Sequence, residues 1–311
     1  MTKRKTFLII DANSVVHRAY HALPNLSDQT GSPAQAVYGF ALAFIHIAKT
    51  LNPDYVAACF DTKKPTFRHK QFHEYKIQRP ATPPDLIEQF PKVIDLLSGF
   101  GVPVFMQEGY EADDLIATIA IKTKALDQNC DIYILTGDYD TLQLVDDRVR
   151  VYLVTRGVKN AVIYSASEVY KKFGIGPNQI ADFKALAGDP SDNIPGAVGI
   201  GKNTAIQLLK RFGSIKGVYD AIEKTPQDFL SLRNGLAVRR ILANNKEQIL
   251  LFENLTKLNT DVPFDFEPDN CKFNHLQGNE PIEILQKFGF VSLAKRLVNT
   301  ADCSAITPSL F

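Results

Sequence analysis

GYEADDLIATIAI, residues 109–121, sets three acids, Glu111, Asp113 and Asp114, directly against an apolar run. Acidic side chains are favoured in the first turn of a helix, where they meet the positive end of the dipole and its unpaired N–H groups. That accounts for one acid well and two tolerably, whereas three repel one another. The strands and helices on either side of this stretch decide what the third is for. TFLIID (6–11), DYVAACFD (54–61), VPVFM (102–106) and DIYILTGD (131–138) are short, apolar and largely β-branched or aromatic. Between them lie helix-length stretches at about 34–50, 85–100 and 112–126. This alternation predicts an α/β fold with a mostly parallel sheet covered by helices.

Asp11, Asp61 and Asp138 each end a predicted strand. In open α/β sheets the active site lies beyond the carboxyl ends of the strands. Three strands therefore deliver carboxylates to one rim, and the 109–121 helix opens at that rim. TGDYDTLQL (136–144) adds Asp140, and LAGDPSDNIPG (186–196) adds Asp189 and Asp192. Nine converging acids cannot all stay ionised without counter-charge. Oxygen ligands without His or Cys suit hard cations, Mg²⁺ or Mn²⁺, and nine exceed what one Mg²⁺ takes, so two ions are expected.

Net charge is +1, yet with those nine set aside 35 basic residues face the remaining 25 acids. Between Thr62 and Pro84 lie Lys63, Lys64, Arg68, Lys70, Lys76 and Arg79, with Glu74 the sole acid and Phe67, Phe72 and Tyr75 interleaved. Cations for phosphates and rings for bases suit a nucleic-acid partner, although one or more of these rings also fits a core position. Cys59, Cys130, Cys271 and Cys303 form no CxxC pair, which fits a reducing compartment. The apolar run after MTKRK stops at Asp11, too short for an export signal, and no stretch is long enough to span a membrane.

Beyond about residue 175 the chain reads as short helices joined by Gly/Pro turns. GAVGIGKNT (196–204) approximates a phosphate-binding loop, but Asn203 stands where Ser or Thr would bind Mg²⁺, and no strand precedes it. A helix–hairpin–helix fits better. Gly199 and Gly201 permit a tight hairpin, the following N–H groups point at a phosphate, and Lys202 adds charge. Such contacts grip duplex without reading its sequence.

IIDANSVVHRAYHALP, YGF (38–40), CFD followed by FRHKQFHEYKIQRPATP, GYEADDLIATIA, TGDYDTLQLV and FKALAGDPSDNIPGAVGIGKNTAIQLL occur in this order over about residues 6–215. Together they resemble the 5′ nucleases, the family of the 5′→3′ exonuclease domains of bacterial DNA polymerase I and of the flap endonucleases. The resemblance implies a PIN-like nuclease domain over 1–175 with a helical arch at about 62–100. A helix–hairpin–helix region would follow at 176–265, leaving a tail, 266–311, of unassigned structure. It implies that Asp11, Asp61, Glu111 and Asp113 surround one metal with Asp114 close by, and that Asp138, Asp140, Asp189 and Asp192 serve a second, partly through water. Tyr75, Lys76 and Arg79 match arch residues that stack on the substrate and contact the scissile phosphate. DNA contacts are expected at Arg68 and Lys70, and at Gly199, Gly201, Lys202, Asn203 and Thr204, with a K⁺ ion at the hairpin.

The implied activity is structure-specific hydrolysis of DNA at 5′ flaps, nicks and frayed ends. Two metals about 4 Å apart would leave a 5′-phosphate and a 3′-hydroxyl. The setting would be primer removal and repair in a bacterial cytosol, at the nucleoid, by a monomer. RNA primers in RNA–DNA hybrids are further substrates, and a polymerase is a covalent or functional neighbour. Val198 and Asn203 stand where the family carries Pro and Lys, and Tyr139 where a basic residue is common. The alternatives are a PIN-type ribonuclease and an inactive DNA-junction binder.

Overall fold

The structure is a computed structural model and describes residues 4–154, 162–273, 276 and 278–298. Six strands, β1 (Lys5–Asp11), β2 (Tyr55–Cys59), β3 (Val104–Phe105), β4 (Cys130–Thr136), β5 (Val149–Leu153) and β6 (Val162–Tyr164), form one sheet in the order β3-β2-β1-β4-β5-β6. The first five are parallel, and β6 runs antiparallel to β5. The chain leaves β1 toward β2 and β3, then returns to β4 on the other side of β1. The carboxyl ends of β1 and β4 therefore flank the switch point where such sheets bind ligands.

Both faces of the sheet are covered, so its central strands are apolar without a break. Along β1 the side chains alternate between two cores. Leu8 and Ile10 pack with helices α1 (Ala12–Ala22), α2 (Gln35–Leu51) and, beyond the short α3 (Phe67–Gln71) and α4 (Pro84–Ile87), α5 (Gln89–Gly99). Phe7 and Ile9 pack with α6 (Ala112–Leu126) on the other face. The expected helices recur within a few residues. VPVFM shortens to the two residues of β3, and β5 and β6 are additional to the four expected strands.

The arch is shorter than expected. Val93, Leu96 and Leu97 of α5 are buried, and Phe100 meets Phe44 of α2 edge-on with ring centroids 5.3 Å apart. The helix at 89–99 thus belongs to the core, because its apolar face has a partner in α2. Residues 62–83 carry the five-residue α3 as their one helix before α4.

Helices α7 (Ala166–Phe173), α8 (Ile180–Ala187), α9 (Lys202–Phe212), α10 (Ile215–Lys224), α11 (Gly235–Asn244) and α12 (Lys246–Thr256) follow. They extend the α6-side core through Leu208, Phe252 and Leu255, joined by Phe229 from the turn between α10 and α11. The described part of the tail is structured. Lys272 bridges to Tyr55, and α13 (Asn279–Lys287) and α14 (Val291–Val298) bury Leu285, Leu293 and Leu297 in the α2/α5 core. Cys303 lies outside the described residues. No helix among the described residues is long and apolar enough to cross a membrane.

Candidate active site

Each rim carboxylate is set by its own local structure. Asp11 ends β1 and caps α1: Ser14 N–H donates to its Oδ1 at 3.1 Å, and the Thr136 hydroxyl donates to Oδ2 at 2.6 Å. Asp61, just past β2, accepts the first N–H of α6, from Ala112, at 2.7 Å. Asp138 follows β4 and accepts Asp140 N–H at 3.0 Å. The three acids of 109–121 divide the two readings between them. Glu111 is the N-cap of α6 and Asp114 its capping-box partner, while Asp113 does no capping. Asp11, Asp61, Glu111, Asp113 and Asp138 line one cavity of ≈ 890 Å³ together with Lys76 and Arg79. Asp138 thus lines the cavity with the Asp11 group and, through the Asp140 N–H, also adjoins the second set to which the resemblance assigns it.

Asp140, Asp189 and Asp192 form that second set, offering ligand oxygens all within 4.8 Å of one another. Asp140 starts the short helical turn after β4, and Asp189 and Asp192 are held by the 188–196 loop, closed by an Asp189–Ile194 bridge. Gly188 is required there: its φ is +86°, and a Cβ would come within 2.8 Å of the Pro195 carbonyl.

The electrostatics ask for cations. Asp11 is pushed up to about 7, chiefly by burial and further by the charges of Asp61 and Asp138. Asp113 is driven well above the usual carboxylate range by desolvation and then by Asp11, Asp138 and Asp61. Asp61, which opens onto the cavity, shifts upward by desolvation as well. Glu111 goes the other way, because Lys76 and Arg68 more than offset its desolvation. Asp113 Oδ1 is sealed from solvent and has no hydrogen-bond partner. Among the described residues, Asp11, Asp61, Asp113 and Asp138 have no ion pair. An orphaned carboxylate oxygen amid an all-oxygen donor set fits a hard divalent cation.

Three expected site residues have other work. Arg68 is 1% exposed, and its guanidinium makes a bidentate pair with Asp114 at 2.8 and 2.8 Å. It also donates to the Leu255 and Lys257 carbonyls. It is an internal clamp between the arch base, α6 and the chain after α12, not a phosphate contact. Asp114 is wholly buried against it and faces away from the cavity acids, so it is not a metal ligand. Tyr75 is 2% exposed and hydrogen-bonds Glu111 at 3.1 Å and Asp192 at 2.9 Å. Burial and those two carboxylates push its ionisation far up, so it stays a neutral hydroxyl, and its ring is not available for stacking on a base. Phe72 packs on Phe252 of the core, and half-buried Phe67 lies against Tyr110.

Lys76 reaches Glu111 at 3.0 Å, and Arg79 reaches Asp192 at 2.8 Å. Lys76 N–H donates to the Asp192 carbonyl, the Gln78 amide to that of Pro190, and the Asn193 amide to that of Glu74. The arch is thereby tied to the loop bearing Asp189 and Asp192. Lys70 is exposed on α3. In the α8–α9 hairpin Gly199 has φ +96°, as expected, whereas Gly201 is an ordinary extended N-cap to α9. Lys202 and Asn203 are exposed and Thr204 half-buried at the start of α9. Sequence reasoning passed over Thr136, which orients Asp11, and Lys184, which pairs with Asp140 and Asp189. The TGD turn could have flagged the former; the latter looks like any helical lysine.

Family models match in two adjoining parts: the 5'-3' exonuclease N-terminal resolvase-like domain over residues 6–174, and the 5'-3' exonuclease C-terminal SAM fold over residues 175–279. The chain belongs to the 5'-3' exonuclease family. The nuclease is 36% identical over 297 residues to DNA polymerase I of Bacillus subtilis, covering 96% of this chain and 33% of that protein. It is 34% identical over 294 residues to DNA polymerase I of Bacillus caldotenax, covering 94% and 32%. The chain thus spans about a third of the length of the curated relatives it matches. Among solved structures, zinc-bound T5 5'-exonuclease superposes with a TM-score of 0.64 at 21% identity, over 94% of this chain and 98% of that one. The catalytic core of Rad2 with DNA superposes at 0.54 and 18% identity, over 96% and 92%. The mixed α/β fold is shared with both. By family the chain is a nuclease, and its Asp140–Asp189–Asp192 group has the all-oxygen spacing that could hold a metal ion.

Proposed function

We propose that this nuclease hydrolyses DNA at 5′ ends and 5′ flaps, leaving a 5′-phosphate and a 3′-hydroxyl, with two Mg²⁺ or Mn²⁺ ions held by its rim acids. The observation that carries this reading is the sealed, unpartnered Asp113 Oδ1 among carboxylates from β1, β2, β4 and α6. Asp11, Asp61, Asp113 and Asp138, with Glu111 at their edge, would hold one ion, and Asp140, Asp189 and Asp192 the other. Such a pair supplies a clamp for the scissile phosphate and an acidified water.

The chain's own residues do the rest. Thr136 and Ser14 fix both oxygens of Asp11, so that carboxylate is oriented before any ligand arrives. Lys76 and Arg79 line the cavity wall and are positioned to exchange Glu111 and Asp192 for phosphate oxygens, where they offset charge that grows during attack. Water supplies the oxygen added to phosphorus, and the departing 3′ oxygen takes up a proton. No side-chain nucleophile is assigned. Exposed Lys70, with its neighbours on residues 62–83, steers the entering strand. Duplex behind the cut rests on the α8–α9 hairpin, with a phosphate over the free N–H groups at Gly201–Thr204 and beside Lys202, and K⁺ at the hairpin carbonyls. The relatives' name makes a polymerase a natural neighbour, with RNA-primed strands among the substrates; the unit acts as a monomer in the cytosol.

The test is a 5′-flap duplex incubated with and without Mg²⁺, with the cut mapped, for the native chain and Asp113→Asn. Cutting near the flap junction that needs Mg²⁺ and falls at least about a hundredfold in the variant is expected. Undiminished cutting by Asp113→Asn would overturn the assignment.

A further inference from the structure

The two acid groups are not equivalent, and the difference lies in protein cations. Lys184, in the last turn of α8, places Nζ 2.6 Å from Asp189 Oδ2 and also pairs with Asp140 Oδ1. All three side chains are at most 15% exposed. The third acid, Asp192, is paired with Arg79 at 2.8 Å and takes a hydrogen bond with the Tyr75 hydroxyl at 2.9 Å. Every member of the Asp140–Asp189–Asp192 set thus has a counter-charge. In the first group only Glu111, at its edge, is ion-paired, with Lys76 and Arg68; Asp11, Asp61, Asp113 and Asp138 have no ion pair among the described residues, and Asp113 keeps its orphaned oxygen.

We propose that Lys184 is an internal cation that competes with the second divalent ion and keeps its site weak. This rests on the nuclease reading above. The unpaired group has carboxylates to spare and takes an ion readily. At the second group an incoming divalent ion must either displace the ammonium from Asp140 and Asp189 or bear its repulsion in a poorly screened setting. The Arg79 side chain is 48% exposed and free to turn from Asp192 to an arriving phosphate. Lys184 rides on α8, whose Ala185 and Leu186 are buried in the main core, so it stays close whatever the arch does. The second ion is therefore held firmly only when substrate phosphate oxygens add to its ligands. Lys184 makes completion of the site conditional on seated DNA, and it acts as a positioning residue without touching the reacting atoms.

The test counts bound Mn²⁺ by electron paramagnetic resonance, without DNA, on the whole chain and on Lys184→Met and Lys184→Gln. The native chain is expected to bind one ion tightly and a second at least roughly tenfold more weakly, and in both variants the second ion tightens by roughly tenfold or more while the first is unchanged. A second readout is thermal melting. In EDTA the variants melt lower than the native chain, because Asp140 and Asp189 have lost their counter-charge, and Mn²⁺ closes that gap. Glutamine retains an amide that donates to both carboxylates, so the measurement stands even where the methionine variant does not fold. A second ion bound no more tightly in the variants, with the first still bound, overturns the role of Lys184 alone. A native chain that binds no Mn²⁺ at all overturns the metal reading and this proposal with it.

Discussion

Arg68→Ala tests how the arch is anchored. The guanidinium has a two-point contact with Asp114 at 2.8 and 2.8 Å and donates to two carbonyls, with both side chains out of solvent. Burial works against its charge, and Asp114 and Glu111 more than restore it. Truncation leaves Asp114 as a buried carboxylate whose remaining donors are the Glu111 and Asn259 N–H groups, at 3.1 and 2.8 Å. Removing one partner of such a pair costs about 3–5 kcal/mol. For a chain of this size that lowers the melting temperature by ~5–8 °C. Circular-dichroism melts in EDTA read the loss, and flap-duplex affinity across a salt series, taken well below the melt, reads any phosphate contact. The expected result is a large drop in Tm with the salt slope of binding unchanged. In Arg68→Met/Asp114→Asn the loss should be smaller than the sum of the single losses, by roughly 0.5–3 kcal/mol. A native-like Tm together with a slope reduced by about one counterion would refute the clamp and restore Arg68 as a DNA contact.

Three further outcomes are expected. Asp11 is held near pH 7, and Asp113 is raised in the same direction, so their neutral forms favour the folded chain. In EDTA the Asp11 contribution is complete below about pH 4 and is lost as pH rises through about 7; denaturant unfolding from acid to neutral pH should show that decline flattened in Asp11→Asn, and an equal slope in both proteins would contradict it. Lys202→Ala should weaken duplex binding and reduce its salt slope by about one, which fluorescence anisotropy measures; lost cutting with unchanged affinity would mean the hairpin has another task. Gly196→Ala, at φ +70° with its Cβ 2.3 Å from Gly188 N, should destabilise the loop, whereas Gly201→Ala meets nothing and should change stability by less than about 0.5 kcal/mol. Any loss of flap affinity in Gly201→Ala then reports close approach of DNA, and unaltered affinity would place the phosphate elsewhere.

Period and punctuation made much of this protein legible in one dimension. Alternating apolar runs gave the parallel sheet, and Asp11, Asp61 and Asp138 at strand ends located the rim, because strand direction alone fixes which end of a parallel sheet collects side chains. The glycines of the hairpin and the family's motif order could be read the same way. Pairing in space could not. Glu111, Asp113 and Asp114 look alike in the sequence, and only the packing of Arg68 against Asp114 separates a buried clamp from a ligand. Tyr75 carries a ring suited to stacking, yet the fold turns it inward between Glu111 and Asp192. The helix at 89–99 adjoins the basic segment but belongs to α2, since burial of its apolar face outweighs its neighbours in sequence. Lys184 gives no signal until α8 swings it between two acids supplied by different loops. Sequence alone determines which groups a chain can offer and at which end of the sheet; which of them share a charge, and so which remain free for a cation, is settled by contacts between distant residues, because electrostatic energy depends on separation in space and on the water excluded around it.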